Sequence, residues 1–194
     1  MEIILIIIAL IFSIIIHEVS HGLMADRLGD PTARYAGRLT LNPVAHLDPL
    51  GSVVIPLLTF FTGGFIFGWA KPVPYNPLNL RNPKRDSMLV GLAGPLSNIV
   101  LAVILVVFYK IFETSLPAVS AQFFISIIRL NFILAIFNLL QIPPLDGSKI
   151  FLSSLPIETQ VMFETYGIFI LVVSLMFLSR IVMVVVDTLM NLLL

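Results

Sequence analysis

"IIIHEVSHGLMADRLGD", residues 14–30, closes an almost unbroken apolar run that begins at Ile3, and it sets His17, Glu18 and His21 inside that run. Such a run supplies the about 20 apolar residues needed to cross a hydrocarbon core of roughly 30 Å. A charged or strongly polar side chain at the centre of a span costs at least about 2.5–3.5 kcal/mol on insertion scales, so three of them in close succession need a functional reason. On a helix His17 and His21 are one turn apart, and both imidazoles leave the same face, where they can share an ion. Glu18 is rotated about 100° from His17, close enough to serve that ion's chemistry without being a ligand. From Ile3 to His17 the helix rises about 21 Å, which leaves the trio inside the core near its far boundary. Met1 and Glu2 carry no Lys or Arg, and no small-residue cleavage site precedes His17, so the segment is expected to be a permanent span and not a removed signal peptide.

Composition extends this reading to the rest of the chain. Of 194 residues, 58% are hydrophobic and 11% are charged, with a mean hydropathy of +1.05, against about 45–50% and about 25% in ordinary soluble domains. The expected fold is an all-α polytopic membrane protein with four to six transmembrane helices, read as one integral-membrane domain over residues 1–194. Firm spans are expected near 3–26, 87–110, 121–141 and 165–190. A fifth apolar stretch, 51–70, is broken by Pro56, Gly63, Gly64 and Gly68 and either crosses or dips in and returns. Arg27, Arg34 and Arg38 precede it and Lys71, Arg81, Lys84 and Arg85 follow it. Basic residues on both flanks favour the cytoplasm on both sides, and therefore a re-entrant segment. Between the first span and this stretch, "GRLTLN" (37–42) alternates apolar and polar residues and reads as a short membrane-associated β element at the cytoplasmic rim.

A net charge of zero gives no electrostatic footprint for nucleic acid. The absence of cysteine removes disulfides, thiolate ligands and a cysteine nucleophile, leaving any metal to His and carboxylates. HEVSH is the HExxH pattern of zinc proteases: two imidazoles hold the ion and the glutamate takes a proton from water. A catalytic zinc usually has three protein ligands, and the further candidates are His46, Asp48 and Asp146. Asp146 is preferred. It follows two prolines that end the third span, Gly147 permits a tight turn, and its depth matches that of the histidines.

At this point the sequence resembles the site-2 protease family of intramembrane metalloproteases. HEVSHG (17–22) matches that family's zinc motif, GLAGPLSN (91–98) its Gly-Pro-x-x-Asn segment, and NLLQIPPLDG (138–147) its second signature, in the family's order, with the core motifs within 5–150. The resemblance implies one Zn2+ per chain held by His17, His21 and Asp146, with Glu18 catalytic. It further implies a zinc endopeptidase that cuts within or near transmembrane segments of membrane-protein substrates, in regulated intramembrane proteolysis. The chain departs from many members at Gln141 and Ser148, which flank the ligand and do not supply it. The PDZ or CBS domains of larger members have no room here, so this reads as the small form.

Three other polar residues draw attention. Asn98 is a hydrogen-bond donor to the scissile carbonyl or its oxyanion, an orienting group, or an interhelical contact. Asn138 positions substrate or packs, and His46 is a transient fourth ligand, an orienting group or a loop histidine. The implied partners are a transmembrane substrate and the lipid bilayer of a prokaryotic plasma membrane, with the site near the cytoplasmic face. The competing readings are an ion or proton transporter and a non-catalytic, metal-binding pseudo-protease. Inverted repeats would mark the transporter, and none is found. The intact Glu18 argues against the pseudo-protease.

Overall fold

The computed structural model describes residues 2–48, 50, 54–55, 58 and 71–194. The first helix, α1, spans Glu2–Arg27. It ends because Gly29 takes φ +113°, a backbone conformation that L side chains resist. That turn lets the Asp30 N–H reach back to the Ala25 carbonyl at 2.9 Å, satisfying an orphan acceptor at the helix end. A short helix, α2 (Thr32–Tyr35), follows. Two further turns, Pro43–His46 and Pro77–Asn79, each open with an asparagine whose side chain accepts the backbone N–H two residues on.

Helix α3 runs Pro83–Phe112 and starts with proline in its first turn, where the missing N–H costs nothing. Helix α4 spans Ala118–Asn138. After it come a one-turn segment, Asp146–Ser148, a short α5 (Lys149–Leu152) and a long α6 (Ile157–Leu193). Helix α1 packs along α3, and α3 along α4. Ala102 and Val106 of α3, Ile128 and Phe132 of α4, and Val182, Val186 and Met190 of α6 form the main apolar core. The amino-terminal part of α6 touches the rest at Gly167, which lies against Pro143 where a Cβ would approach to 3.2–3.3 Å. Elsewhere that part of α6 exposes Ile168, Phe169, Val172, Met176 and Phe177, as lipid-facing helices do.

Four helices among the described residues are long and apolar enough to cross a membrane: Ile3–Arg27, Pro83–Phe112, Ala118–Asn138 and Ile157–Leu193. They coincide with the four expected spans, with shifted ends. The last begins eight residues before the expected 165, because the helix starts directly after Pro156 and takes in the polar stretch "IETQ".

The expected β element is not found. The described residues form helices and turns with no strand, so the fold is all-helical where it is described. Residues 37–42 are occupied by local hydrogen bonds. The Arg38 N–H goes to the Ala33 carbonyl at 2.9 Å, the Asn42 N–H to Thr40 Oγ1 at 3.2 Å, and Asn42 Oδ1 accepts the Val44 N–H at 3.1 Å. Such side-chain bonds compete with a strand ladder, and no second strand is at hand among the described residues. The re-entrant reading of 51–70 falls, apart from residues 54, 55 and 58, outside the described residues.

Candidate metal centre

The helical spacing of the first span is realised in α1. His17 and His21 project side by side, their ring centroids 4.7 Å apart with the rings at 83° to one another. Asp146 reaches them from the far end of the sequence, carried on the turn that follows α4. Gly147 makes that turn possible through close approach and not through a left-handed φ: a Cβ there would stand 2.3 Å from the Leu139 carbonyl oxygen. His17 Nε2 and His21 Nε2 lie 2.9 and 3.1 Å from Asp146 Oδ2 and 3.1 Å from each other. The three atoms fall within 4.8 Å, the only such metal-ligand group among the described residues.

The donor set can be tested for fit. His21 Nδ1 faces the Val90 carbonyl at 2.6 Å, an acceptor, so the proton sits on Nδ1 and Nε2 presents its lone pair. His17 Nδ1 faces Asn98 Oδ1 at 2.6 Å and is fixed in the same sense. Two imidazole lone pairs and a carboxylate oxygen therefore face one another, an arrangement that a cation between them resolves. The space is reserved as well. A Cβ on Gly94 of α3 would lie 2.4 Å from His21 Nε2 and 2.6 Å from His17 Nε2. Two nitrogens, one oxygen and a bare backbone behind them suit zinc.

Around this trio the groups have separate tasks. The Glu18 Oε2 accepts the Val73 N–H at 2.8 Å, which anchors the carboxylate at the edge of the cluster. Lys149 Nζ donates to Asp146 Oδ1 at 3.1 Å and lies 5.3 Å from the Tyr75 ring centroid. Gly91 makes room for that chain, since a Cβ there would come within 2.9 Å of Lys149 Cδ. Burial would lower the Lys149 ammonium, but the Asp146 charge reverses this and holds it above its usual range. Glu18, Val73, Tyr75, Asn138 and Lys149 line a cavity of about 360 Å3 that opens onto the cluster.

The other polar residues divide. Asn98 is fully buried and bonded to His17. Asn138 lines the cavity and donates one amide hydrogen to the Leu134 carbonyl at 2.9 Å. His46 is not brought to the cluster. It is buried in the turn Pro43–His46, its Nε2 donates to the Thr40 carbonyl at 2.8 Å, and its own carbonyl accepts the Lys71 N–H. Sequence reasoning missed Asn131 and Lys149. The signal for Asn131 was a lone amide in the middle of an apolar span, and for Lys149 a charge three residues beyond Asp146.

Membrane-crossing helices around a His–His–Asp cluster, with a second carboxylate beside it, define a class: the membrane metalloproteases. Comparison with known proteins agrees. The pattern described as peptidase family M50 matches residues 5–117. YwhC of Bacillus subtilis is 40% identical over 177 residues, covering 86% of this chain and 78% of that protein. Rip2 of Mycolicibacterium smegmatis is 34% identical over 159 residues, covering 81% of this chain and 60% of that protein. Rip2 of Mycobacterium tuberculosis H37Rv is 32% identical over 150 residues, covering 76% of this chain and 56% of that protein. All three carry the words zinc metalloprotease in their names. No solved structure matches the chain. The chain belongs to peptidase family M50, the site-2 protease family, and is an integral-membrane metalloprotease.

Proposed function

We propose that the chain is a zinc-dependent intramembrane endopeptidase that hydrolyses a peptide bond within or near a transmembrane segment of a membrane-protein substrate, as in regulated intramembrane proteolysis. The observation that carries this reading is the convergence of His17 Nε2, His21 Nε2 and Asp146 Oδ2 beside Glu18, at the membrane depth the first helix sets. One zinc per chain would be held by those three side chains. Bound there, zinc supplies Lewis acidity, polarising a substrate carbonyl and making water more acidic. Glu18 takes the proton from the attacking water and returns it to the leaving amine. The Val73 N–H occupies one of its oxygens and orients the other. Asn98 holds His17, and Asn138 contacts substrate from the cavity wall. Lys149 engages Asp146 Oδ1 and so leaves Oδ2 to the metal.

The cavity of about 360 Å3 opens onto the cluster, and because a helix keeps its backbone carbonyls bonded internally, the substrate segment unwinds locally before it is cut. The site lies near the cytoplasmic face of a prokaryotic plasma membrane. In support, Arg27, Arg34, Arg81, Lys84 and Arg85 gather at the end of α1 and the start of α3 that flank it.

The test uses purified full-length protein in lipid, a single-span test substrate, and parent against Glu18→Ala. Zinc content is expected to stay at the parent level while cleavage falls by about 10²–10⁴-fold, the usual range for a lost general base. Undiminished cleavage in the variant would remove Glu18 from the chemistry. A parent that holds no zinc would end the metalloprotease mechanism altogether.

A further inference from the structure

The two imidazoles of the cluster are oriented by unlike partners. His21 Nδ1 faces a backbone carbonyl, that of Val90, which can only accept. His17 Nδ1 faces the side-chain amide of Asn98, and an amide turned over would offer N–H where its oxygen now stands. That reversal would present a donor to His17 Nδ1, move the imidazole proton to Nε2 and close that nitrogen to a metal. The orientation of Asn98 therefore decides whether His17 is a ligand.

Asn131, on α4, sets that orientation together with the Ser13 carbonyl on α1. Its Nδ2 donates to the Ile127 carbonyl of its own helix at 3.0 Å, which commits its Oδ1 to accepting. Asn131 Oδ1 receives an amide hydrogen from Asn98 Nδ2 at 3.0 Å, and the second Asn98 hydrogen goes to the Ser13 carbonyl on α1 at 3.3 Å. Every step has its direction forced, because the chain of bonds starts from a backbone carbonyl with no hydrogen to give. Asn98 and Asn131 are both fully buried, so no bulk water is present to satisfy a reversed amide.

We propose that Asn131 is a positioning residue for the metal centre: it fixes the Asn98 amide one way round, and through it the nitrogen on which His17 carries its proton. Among the described residues it hydrogen-bonds none of the three proposed ligands, and it acts across two helix interfaces. The inference rests on His17, His21 and Asp146 being the ligand set.

The test is zinc affinity of the full-length protein in detergent, by competition with a chelator of known affinity. Asn131→Leu is expected to weaken zinc about 10-fold, the low end of the 10–100-fold range for partners behind a ligand, since the Ser13 carbonyl still holds one Asn98 hydrogen. Asn131→Asp keeps an acceptor toward Asn98 and is expected to bind close to the parent. In an Asn98→Asp background, a carboxylate offers His17 an acceptor whichever way it turns, so adding Asn131→Leu is expected to cause no further loss. Should Asn131→Leu not fold, Asn131→Ala removes the same acceptor without adding bulk and carries the same comparison. Parent-like affinity in Asn131→Leu and Asn131→Ala, or an equal loss on adding Asn131→Leu to the Asn98→Asp background, overturns the proposal and leaves Asn131 a packing residue. A failure of the ligand set is distinguishable, because Asp146→Ala would then keep the parent affinity, and this inference would fall with it.

Discussion

Gly94 has no side chain, and the proposed metal centre sits where one would be. Alanine is the better helix former by about 1 kcal/mol, so Gly94→Ala is expected to leave α3 intact. Its methyl would stand 2.4 and 2.6 Å from the two Nε2 atoms, closer than real contacts allow. The variant is expected to keep parent helicity by circular dichroism and to lose bound zinc, measured as metal per chain; full zinc occupancy would show that the rings do not converge on α3. The histidine pair was legible in the sequence because helical periodicity is local: four residues fix one face. Asp146 was legible through its neighbours, two prolines and a glycine that end a span, and Gly147 permits the tight turn as expected, by close approach to Leu139 and not by a left-handed φ. Asn131 was not legible. An amide inside a span looks the same in sequence whether it joins two helices or orients a ligand, and only the partners at both of its ends decide.

Among the described residues between α2 and α3, residues 71–82 are held to the end of α1 by side chains more than by regular structure. Asp30, buried at the end of α1, accepts the Asn76 N–H at 2.6 Å, Asn79 Nδ2 at 2.8 Å, the Thr32 N–H at 3.2 Å and the Thr32 hydroxyl. It thereby ties residues 76–79 to α1, just beyond the Val73 that holds Glu18. Burial would raise this carboxyl, but the bonds from Thr32, Asn79 and Asn76 outweigh it and hold it below its usual range. A folded-state pKa below the unfolded value, about 3.9, means that the carboxylate stabilises fully above that value and less as pH falls through the lower folded one. Asp30→Ala is expected to cost about 1–3 kcal/mol at neutral pH by leaving buried donors unpaired. Hydrogen exchange on a peptide covering 71–82 would register the loss of protection, and the gap from the parent is expected to shrink below about pH 4. Equal protection at neutral pH would show that the anchor lies elsewhere. The strand expected at 37–42 failed at this scale. Alternation of apolar and polar residues is a statement about faces, whereas a strand needs a partner, and here Arg38, Thr40 and Asn42 give their hydrogen bonds to nearby turns.

Across the whole molecule, the four spans could be read from hydropathy alone, because lipid imposes length and composition on each helix separately. Their pairing could not. Arg129 sits awkwardly in its span by sequence, and Asp187 has no evident role 58 positions later, yet Arg129 donates to Asp187 at 2.6 Å and joins α4 to α6. A lone charge within a span costs about 2.5–3.5 kcal/mol, so the partners are expected to be worth more together than apart. Asp187→Leu is expected to lower the Tm in lipid more than the double change Arg129→Leu with Asp187→Leu; a double variant that melts lowest would mean the pair is not coupled. Distance in sequence has a further consequence at the proposed centre. Two of its ligands stand on the first helix, and the third comes only after α3 and α4, more than a hundred residues later. A ribosome has therefore added more than a hundred residues after the histidines before Asp146 emerges, and until the α3–α4 hairpin has formed the histidines lack the third proposed ligand. If the proposed ligand set holds, the nascent chain would be inert on this ordering, and metalloprotease competence would arrive only once the helices that carry Asp146 have assembled.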